Sequence, residues 1–450
     1  MVYRAILGCY NTAMSKERAL LINPEPPSLR KPDSVEPLGL EYLAAQLERE
    51  GIATAIHDGS VVPISRDNLR GFSFIGVHAK TLQYPQALKI LRLCQAISAI
   101  SDPKIHTCIG GPHITAITQQ FPKGEASNPA GVFEKDGWGT FCSFEADLVI
   151  GKIVKENIPG FVQGSRVQDL DGLPFPARHL VKPLKYAKEG YPPSASILFS
   201  RGCPFACSYC DKSQGKTIRF RSPENVVEEI QQVIKTWGIR RVLFYDDTLT
   251  LDKKRSMQLF ERLSPLKINW ECNSRVNTID EEMLQAMKRA GCDKIKYGIE
   301  SGDPTVLKAI DKKASVEQAA EAIRLTKAVG GINAAAYFLF GLPEDNWSSL
   351  ENTLKFLNEV NPDSAQLAFA VPLPNTPLYE KIRRLGWPTP DNLEEYHYAG
   401  KEGPHTWLKR TSCLDEKEFS QAKQKIQEGF AKWAIEKHAG VFGVTNVVIK

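Results

Sequence analysis

Twice along this chain, short apolar strands alternate with helical segments, and three closely spaced cysteines stand at the head of the second series. That alternation constrains the fold more than any other feature, because strand–helix–strand units lay successive strands parallel in one sheet. In the first series, residues 19–23 read as a buried strand. Leu40, Leu43, Ala44 and Leu47 then recur on one helical face, and Gly51 is placed to end that helix. Strands follow near 53–57, 73–77 and 105–109, with a helix over 84–99, and Leu148-Val149-Ile150 reads as the last strand. The pattern predicts a doubly wound, Rossmann-like sheet, in which ligands bind beyond the carboxyl ends of strands at a switch point.

The second series begins with a strand over 196–199 that runs into the cysteines. Further strands fall near 242–245, 268–272, 294–299, 332–340 and 364–370. Helices over 252–263, 280–290, 315–329 and 347–360 separate them, and Ser222-Pro223 opens an earlier one with a cap donor and proline at the first helical position. Six repeats fall short of an eight-fold barrel, so a partial (βα)6 barrel is expected, with its site at the carboxyl ends of the strands. The resulting organisation is 1–160 for the first domain, 161–193 for a linker, 194–387 for the barrel and 388–450 for a mainly helical tail. Phe419, Ala422, Ile426, Phe430 and Trp433 give the tail a helical face, expected to lie over the barrel mouth or to contact substrate. Tyr396, His397, Tyr398, His405 and Trp407 precede it.

The cysteines are Cys203, Cys207 and Cys210, spaced C-x3-C-x2-C. Zinc favours four protein ligands, usually in two separated pairs, and no second pair follows. A thioredoxin-type pair of Cys207 and Cys210 would open a helix in a much smaller domain. A [4Fe–4S] cube held by three thiolates keeps one iron without a protein ligand, open to a substrate. The other seven cysteines are scattered, which fits a reducing compartment better than a disulfide framework. With 57 basic against 52 acidic residues, the net charge of +5 is too weak to argue for nucleic acid. No apolar run approaches a membrane span, and no signal-peptide core follows the first residues. A soluble, cytoplasmic, monomeric enzyme is expected.

The cysteine loop, with Tyr209 just before its third cysteine, resembles that of the radical S-adenosylmethionine (SAM) enzymes. Leu21-Ile22-Asn23-Pro24, Pro37-Leu38-Gly39-Leu40, Gly110-Gly111-Pro112-His113 and the linker stretch 171–178 resemble the class in which a cobalamin-binding domain precedes the barrel. The resemblance covers about residues 19–385 and implies three cofactors: a [4Fe–4S] cluster on the cysteines, SAM on its open iron, and cobalamin. It places Tyr209, Asp246, Asp247, Arg275, Glu300, Ser301 and Gly341 around SAM, and Gly110, Gly111, Pro112 and His113 against the corrin. A carboxylate at Asp246 or Asp247 would hold the SAM ammonium. Arg275 would pair with a carboxylate, and Glu300 with ribose hydroxyls or the amine.

Two departures stand out. No D-x-H-x-x-G sequence supplies a lower cobalt ligand, though His78 and Lys80 follow the third strand closely enough to approach the lower face. Gly151-Lys152 also stands where the class often shows Gly-Glu-Gly-Glu. By resemblance the activity is a C-methyl transfer using a 5′-deoxyadenosyl radical and methylcobalamin, on a small-molecule or peptidyl substrate, with a flavodoxin or ferredoxin as reductant. A rearrangement, cyclisation or oxidation with the same cofactors is the alternative. A non-catalytic iron–sulfur protein, or SAM chemistry beside a vestigial first domain, are further readings.

Overall fold

The computed structural model describes residues 17–25, 35–100, 104–120, 139–186, 192–387, 413–438 and 447–449. The first domain holds strands β1 (Arg18–Asn23), β2 (Ala53–Asp58), β3 (Phe74–His78), β4 (His106–Gly110), β5 (Thr140–Ser143) and β6 (Gly160–Gln163). All pair in parallel, in the order β2-β1-β3-β4-β5-β6. Chain direction across the sheet reverses at β1, so the switch point lies between the carboxyl ends of β1 and β3. Helices α1 (Leu38–Arg49), α2 (Tyr84–Ser98), α3 (Pro112–Gln120) and α4 (Ile150–Glu156) cover its faces. Leu40, Ala44 and Leu47 bury against Ala19, Leu21 and Phe74 on one side; Ala87, Leu91 and Cys94 pack with Ile75 and Val77 on the other.

The last strands of this sheet differ from expectation. Leu148-Val149-Ile150 is not a strand: Leu148 is exposed, and Ile150 opens α4, burying Ile153 and Val154 with it. An apolar run of three residues does not distinguish a strand from a helix start. The sheet instead continues through Thr140-Phe141-Cys142-Ser143, every residue of which is buried.

The barrel contains β7 (Ser194–Ile197), β10 (Arg241–Phe244), β11 (Asn269–Ser274), β12 (Cys292–Glu300), β13 (Asn333–Phe340) and β14 (Ser364–Phe369), all parallel. A ribbon of β8 (Ser200–Arg201) and β9 (Arg219–Phe220) carries the cysteine loop. After the short linker helix α5 (Arg178–Val181), the outer layer is α6 (Pro223–Trp237), α7 (Lys253–Leu263), α8 (Glu281–Arg289), α9 (Pro304–Ala309), α10 (Val316–Val329), α11 (Trp347–Val360) and α12 (Pro377–Arg384). The tail adds α13 (Glu416–His438) and β15 (Val447–Ile449). α13 does not lie over the mouth. Phe419 stacks on Phe340 at 6.1 Å and Phe430 meets Phe338 edge-on at 5.3 Å, placing the helix in the barrel's outer layer. β15 pairs parallel with β14 as a seventh strand beyond the six expected. Tyr396, His397, Tyr398, His405 and Trp407 lie outside the described residues.

Buried charge locks the first domain and linker to the barrel. Arg178, 2% exposed, donates to the Ser196 carbonyl at 2.5 Å and forms ion pairs with Glu229 Oε1 at 2.7 Å and Glu36 Oε1 at 3.5 Å. Glu36 accepts from Ser196 N at 2.6 Å, fixing the strand that feeds the cysteine loop. Arg219 pairs with Glu145 at 2.6 Å, and Arg201 pairs with Asp147 at 3.2 Å while lying over the Tyr42 ring. At a second place Asn375 N donates to Gln120 Oε1 at 2.6 Å, tying the end of α3 to the loop before α12.

Glu41 of α1 is fully buried in the same region, and neither carboxylate oxygen has a hydrogen-bond partner. Burial, then repulsion from Glu36, holds its carboxyl well above the ordinary carboxylate range despite Arg178. The raised folded-state pKa means that its contribution is full below the unfolded value and is lost as pH rises through the folded value. The melting temperature of the wild type is therefore expected to fall more steeply from mildly acidic to alkaline buffer than that of Glu41→Gln, which cannot ionise. Parallel profiles from circular dichroism melts would refute this.

Candidate functional site

The cysteine loop is shaped by its glycines and by neighbours in both domains. Gly202 has φ +98, and a Cβ there would stand 2.5 Å from the Thr217 carbonyl, so only glycine admits the turn. Cys203 N donates to Gly215 O at 3.0 Å, Cys210 N to Cys207 O at 3.2 Å, and Ser208 N to Ile310 O at 2.9 Å. Arg166 and Arg219 clasp the far side through the carbonyls of Ser213 and Gln214.

Cys203, Cys207 and Cys210 line one cavity of about 250 Å³ at the carboxyl ends of β10 to β13. Burial pushes the Cys210 thiol up to about 12, and nearby Asp247, Cys207 and Cys203 add to the effect. Three sulfurs lining one cavity are a donor set suited to a multi-iron cation, and a cubane cluster provides one. The residues therefore fit a [4Fe–4S] cluster.

Around the cysteines the structure divides the expected SAM contacts. Asp247 and Glu300 line the cavity, as does Tyr209, whose hydroxyl is pushed well above its ordinary range by burial and by Glu300. Glu300 is held at φ +72, beside a register shift between β12 and β13, and its Oε1 accepts from Lys312 at 2.7 Å. Asn273, Ser274, Lys296, Lys312 and Tyr337 also line the cavity.

Asp246 does not reach the cavity. Fully buried, its carboxylate accepts from Phe199 N at 3.0 Å, from Ser200 N at 2.5 Å and from Ser200 Oγ at 2.6 Å. It braces the entry to the cysteine loop, and burial raises its carboxyl to about 6. Ser301 bonds Thr353 and accepts from Asp303 N, and the Gly341 amide donates to Asp345; both are committed to neighbouring turns. Arg275 lines the cavity but pairs with no carboxylate among the described residues. Its guanidinium donates to Cys207 Sγ at 3.5 Å and to the Lys312 carbonyl, and lies 3.7 Å from the Phe205 ring centroid. Lys312 had no sequence signal, since Asp311-Lys312-Lys313 reads as a solvated turn.

In the first domain, Gly110 ends β4 and Pro112 opens α3. A Cβ on Gly111 would meet His78 Cδ2 at 2.7 Å and Ala79 O at 2.8 Å. The absent side chain at Gly111 thus accommodates the chain's own strand end. His113 is fully buried, its ring tilted against Tyr84 at 4.3 Å with Nδ1 3.2 Å from Thr81 Oγ1, and so is a core residue. His78 stands at the end of β3, kept neutral by burial, which lowers its pKa to about 3. The switch point, the β3 end and the start of α3 lie at the carboxyl edge of this sheet. Among the described residues no helix is long and apolar enough to cross a membrane.

Residues 197–357 match the Radical SAM superfamily. An uncharacterised methyltransferase of Pyrococcus horikoshii is 32% identical, over 76% of this chain and 78% of its own length. The anaerobic magnesium-protoporphyrin IX monomethyl ester cyclase of Rubrivivax gelatinosus is 27% identical, over 77% of this chain and 66% of its own. Among solved structures, the fold resembles TsrM of Kitasatospora setae, a radical S-adenosylmethionine methyltransferase with cobalamin and a [4Fe–4S] cluster bound. The TM-score is 0.68 at 16% identity, covering 97% of this chain and 91% of that one.

Proposed function

The chain belongs to the radical SAM methyltransferase class, and from that premise we propose that it uses cobalamin to methylate an unactivated carbon of its substrate. The observation that carries this reading is one cavity shared by three cysteines and by polar groups from the ends of β10, β11 and β12. When bound, the cluster supplies the electron that splits SAM into methionine and a 5′-deoxyadenosyl radical, and cobalamin supplies the methyl group.

The protein's own task is binding, orientation and exclusion of water. Cys203, Cys207 and Cys210 would hold the cluster, and Asp247 and Glu300, which line the same cavity, would take the SAM ammonium. The Arg275–Phe205 stack walls one side beside Cys207. The corrin site is assigned to the carboxyl edge of the first sheet, between β1 and β3 and at the start of α3. The ion pairs of Arg201 with Asp147 and Arg219 with Glu145 fix the first domain against the barrel, and Arg178 ties the linker to Glu229. The substrate is expected to be a small molecule, and the reductant a flavodoxin or ferredoxin.

The test is anaerobic reconstitution with iron, sulfide and hydroxocobalamin, followed by reduction in the presence of SAM. About four irons and one corrin per chain are expected, with 5′-deoxyadenosine released. Deoxyadenosine from protein that takes up no corrin would sink methyl transfer by this route. A product formed without label from methyl-labelled SAM would instead indicate a rearrangement, cyclisation or oxidation.

A further inference from the structure

We propose that the imidazole of His78 is this chain's own lower axial ligand to the cobalt of the corrin. The inference rests on the assignment of the corrin to the carboxyl edge of the first sheet. That edge suits a flat group rimmed with amides. Ser143 ends β5, Ser60 follows β2 and Gln83 precedes α2. Ser143 Oγ, Ser60 Oγ and Gln83 Oε1 are buried without a hydrogen-bond partner among the described residues. Buried polar atoms are rarely left unpaired, so three of them at one sheet edge fit a ligand that brings donors and acceptors.

No D-x-H-x-x-G sequence supplies a histidine to this edge. The other described histidines of the first domain and linker are committed elsewhere. His57 Nε2 lies 2.9 Å from the Val62 carbonyl, and His106 Nε2 lies 2.8 Å from Thr140 Oγ1. His113 Nδ1 lies 3.2 Å from Thr81 Oγ1, and His179 Nε2 lies 3.0 Å from Glu48 Oε1. His78 is the exception: neither ring nitrogen has a hydrogen-bond partner among the described residues. It is the last residue of β3, beside the switch point, and unlike His113 it is not fully enclosed. Metals take histidine as the neutral imidazole, which is the form that burial favours here.

The ring is also held in place. Ala79 N donates to Gly110 O at 2.7 Å and His113 N donates to Ala79 O at 3.0 Å. The turn between β4 and α3 is thereby stapled to the residue after His78. Gly111, at φ +115, gives the ring its room, since a Cβ there would stand 2.7 Å from His78 Cδ2. An imidazole packed against a fixed turn is a preorganised donor.

The test uses anaerobically reconstituted full-length protein, with the corrin poised as cob(II)alamin and the cluster left oxidised. Cob(II)alamin carries an unpaired electron, and a nitrogen below the cobalt splits its paramagnetic-resonance lines. A triplet splitting is expected, becoming a doublet when the protein's histidines carry the heavy nitrogen isotope and the corrin does not. That change excludes cobalamin's own benzimidazole as the source, and it is read on the wild type, independently of how any variant folds. His78→Gln, with a polar side chain of similar length, should keep the corrin and lose the doublet. An unsplit spectrum, a triplet that the label leaves unchanged, or a doublet that survives in His78→Gln would overturn the proposal, with the corrin assignment still standing. Wild-type protein that takes up the cluster but no corrin would overturn that assignment, and this inference with it.

Discussion

Replacing Cys207 by alanine is expected to abolish both cluster binding and SAM cleavage. Cys207 is the most enclosed of the three thiols at 5% exposure, and Arg275 donates to its sulfur at 3.5 Å. Two remaining cysteines cannot hold a cubane through three irons, so the effect should be a loss of iron rather than a graded fall in rate. Cys413→Ala is the matching control: Cys413 is exposed and does not line the cavity. The reconstituted Cys207→Ala protein should show iron near background and no 5′-deoxyadenosine, with a circular dichroism spectrum like that of the wild type. Full iron content in Cys207→Ala, or loss of iron in Cys413→Ala, would contradict the assignment of ligands.

The second large effect concerns the join between the domains. Arg178→Met removes the only cation that the described ion pairs place on Glu36 and leaves Glu229 with Arg221 alone. It also withdraws a counter-charge from Glu41 and a donor from the Ser196 carbonyl. Breaking a buried pair by deleting one partner leaves an uncompensated charge and costs about 3–5 kcal/mol, far more than losing an exposed pair. The urea midpoint should fall accordingly, while a surface control such as Arg324→Met, whose partner Glu321 is exposed, should barely move it. Equal midpoints for the two variants would show that the cluster of Glu36, Glu41 and Glu229 tolerates the loss by protonation. The effect should reach the active site as well, because Glu36 and Arg178 hold Ser196 on the strand leading to Cys203.

Much of this molecule can be read from local pattern. The barrel helices lie where Ser222, Asp252, Asp280, Ser315 and Asn346 cap them, and each cap side chain accepts from a backbone amide of its own first turn. The strands of both sheets fall within a few residues of their apolar runs. Where pattern was too short, it misled: three apolar residues at 148–150 began a helix, while the true β5 lay eight residues earlier in a mixed sequence.

By itself, the sequence determined the two strand–helix series, the cysteine spacing and thus the chemistry the loop invites. These rest on periodicity and on ligand count, which are local properties of the chain. Only the tertiary structure decided which polar residues face the cavity. Asp246 and Asp247 are adjacent, yet one braces Ser200 and the other lines the cavity, because neighbouring strand-end residues point to opposite sides. His113 left the corrin edge for the core because Pro112 begins a helix that turns it inward against Tyr84. Lys312 joined the site only because the turn after α9 folds back beneath Glu300, 12 residues earlier in the chain, and beside Tyr209, 103 residues earlier. Contacts between residues so far apart depend on how whole elements pack, and no local pattern encodes that.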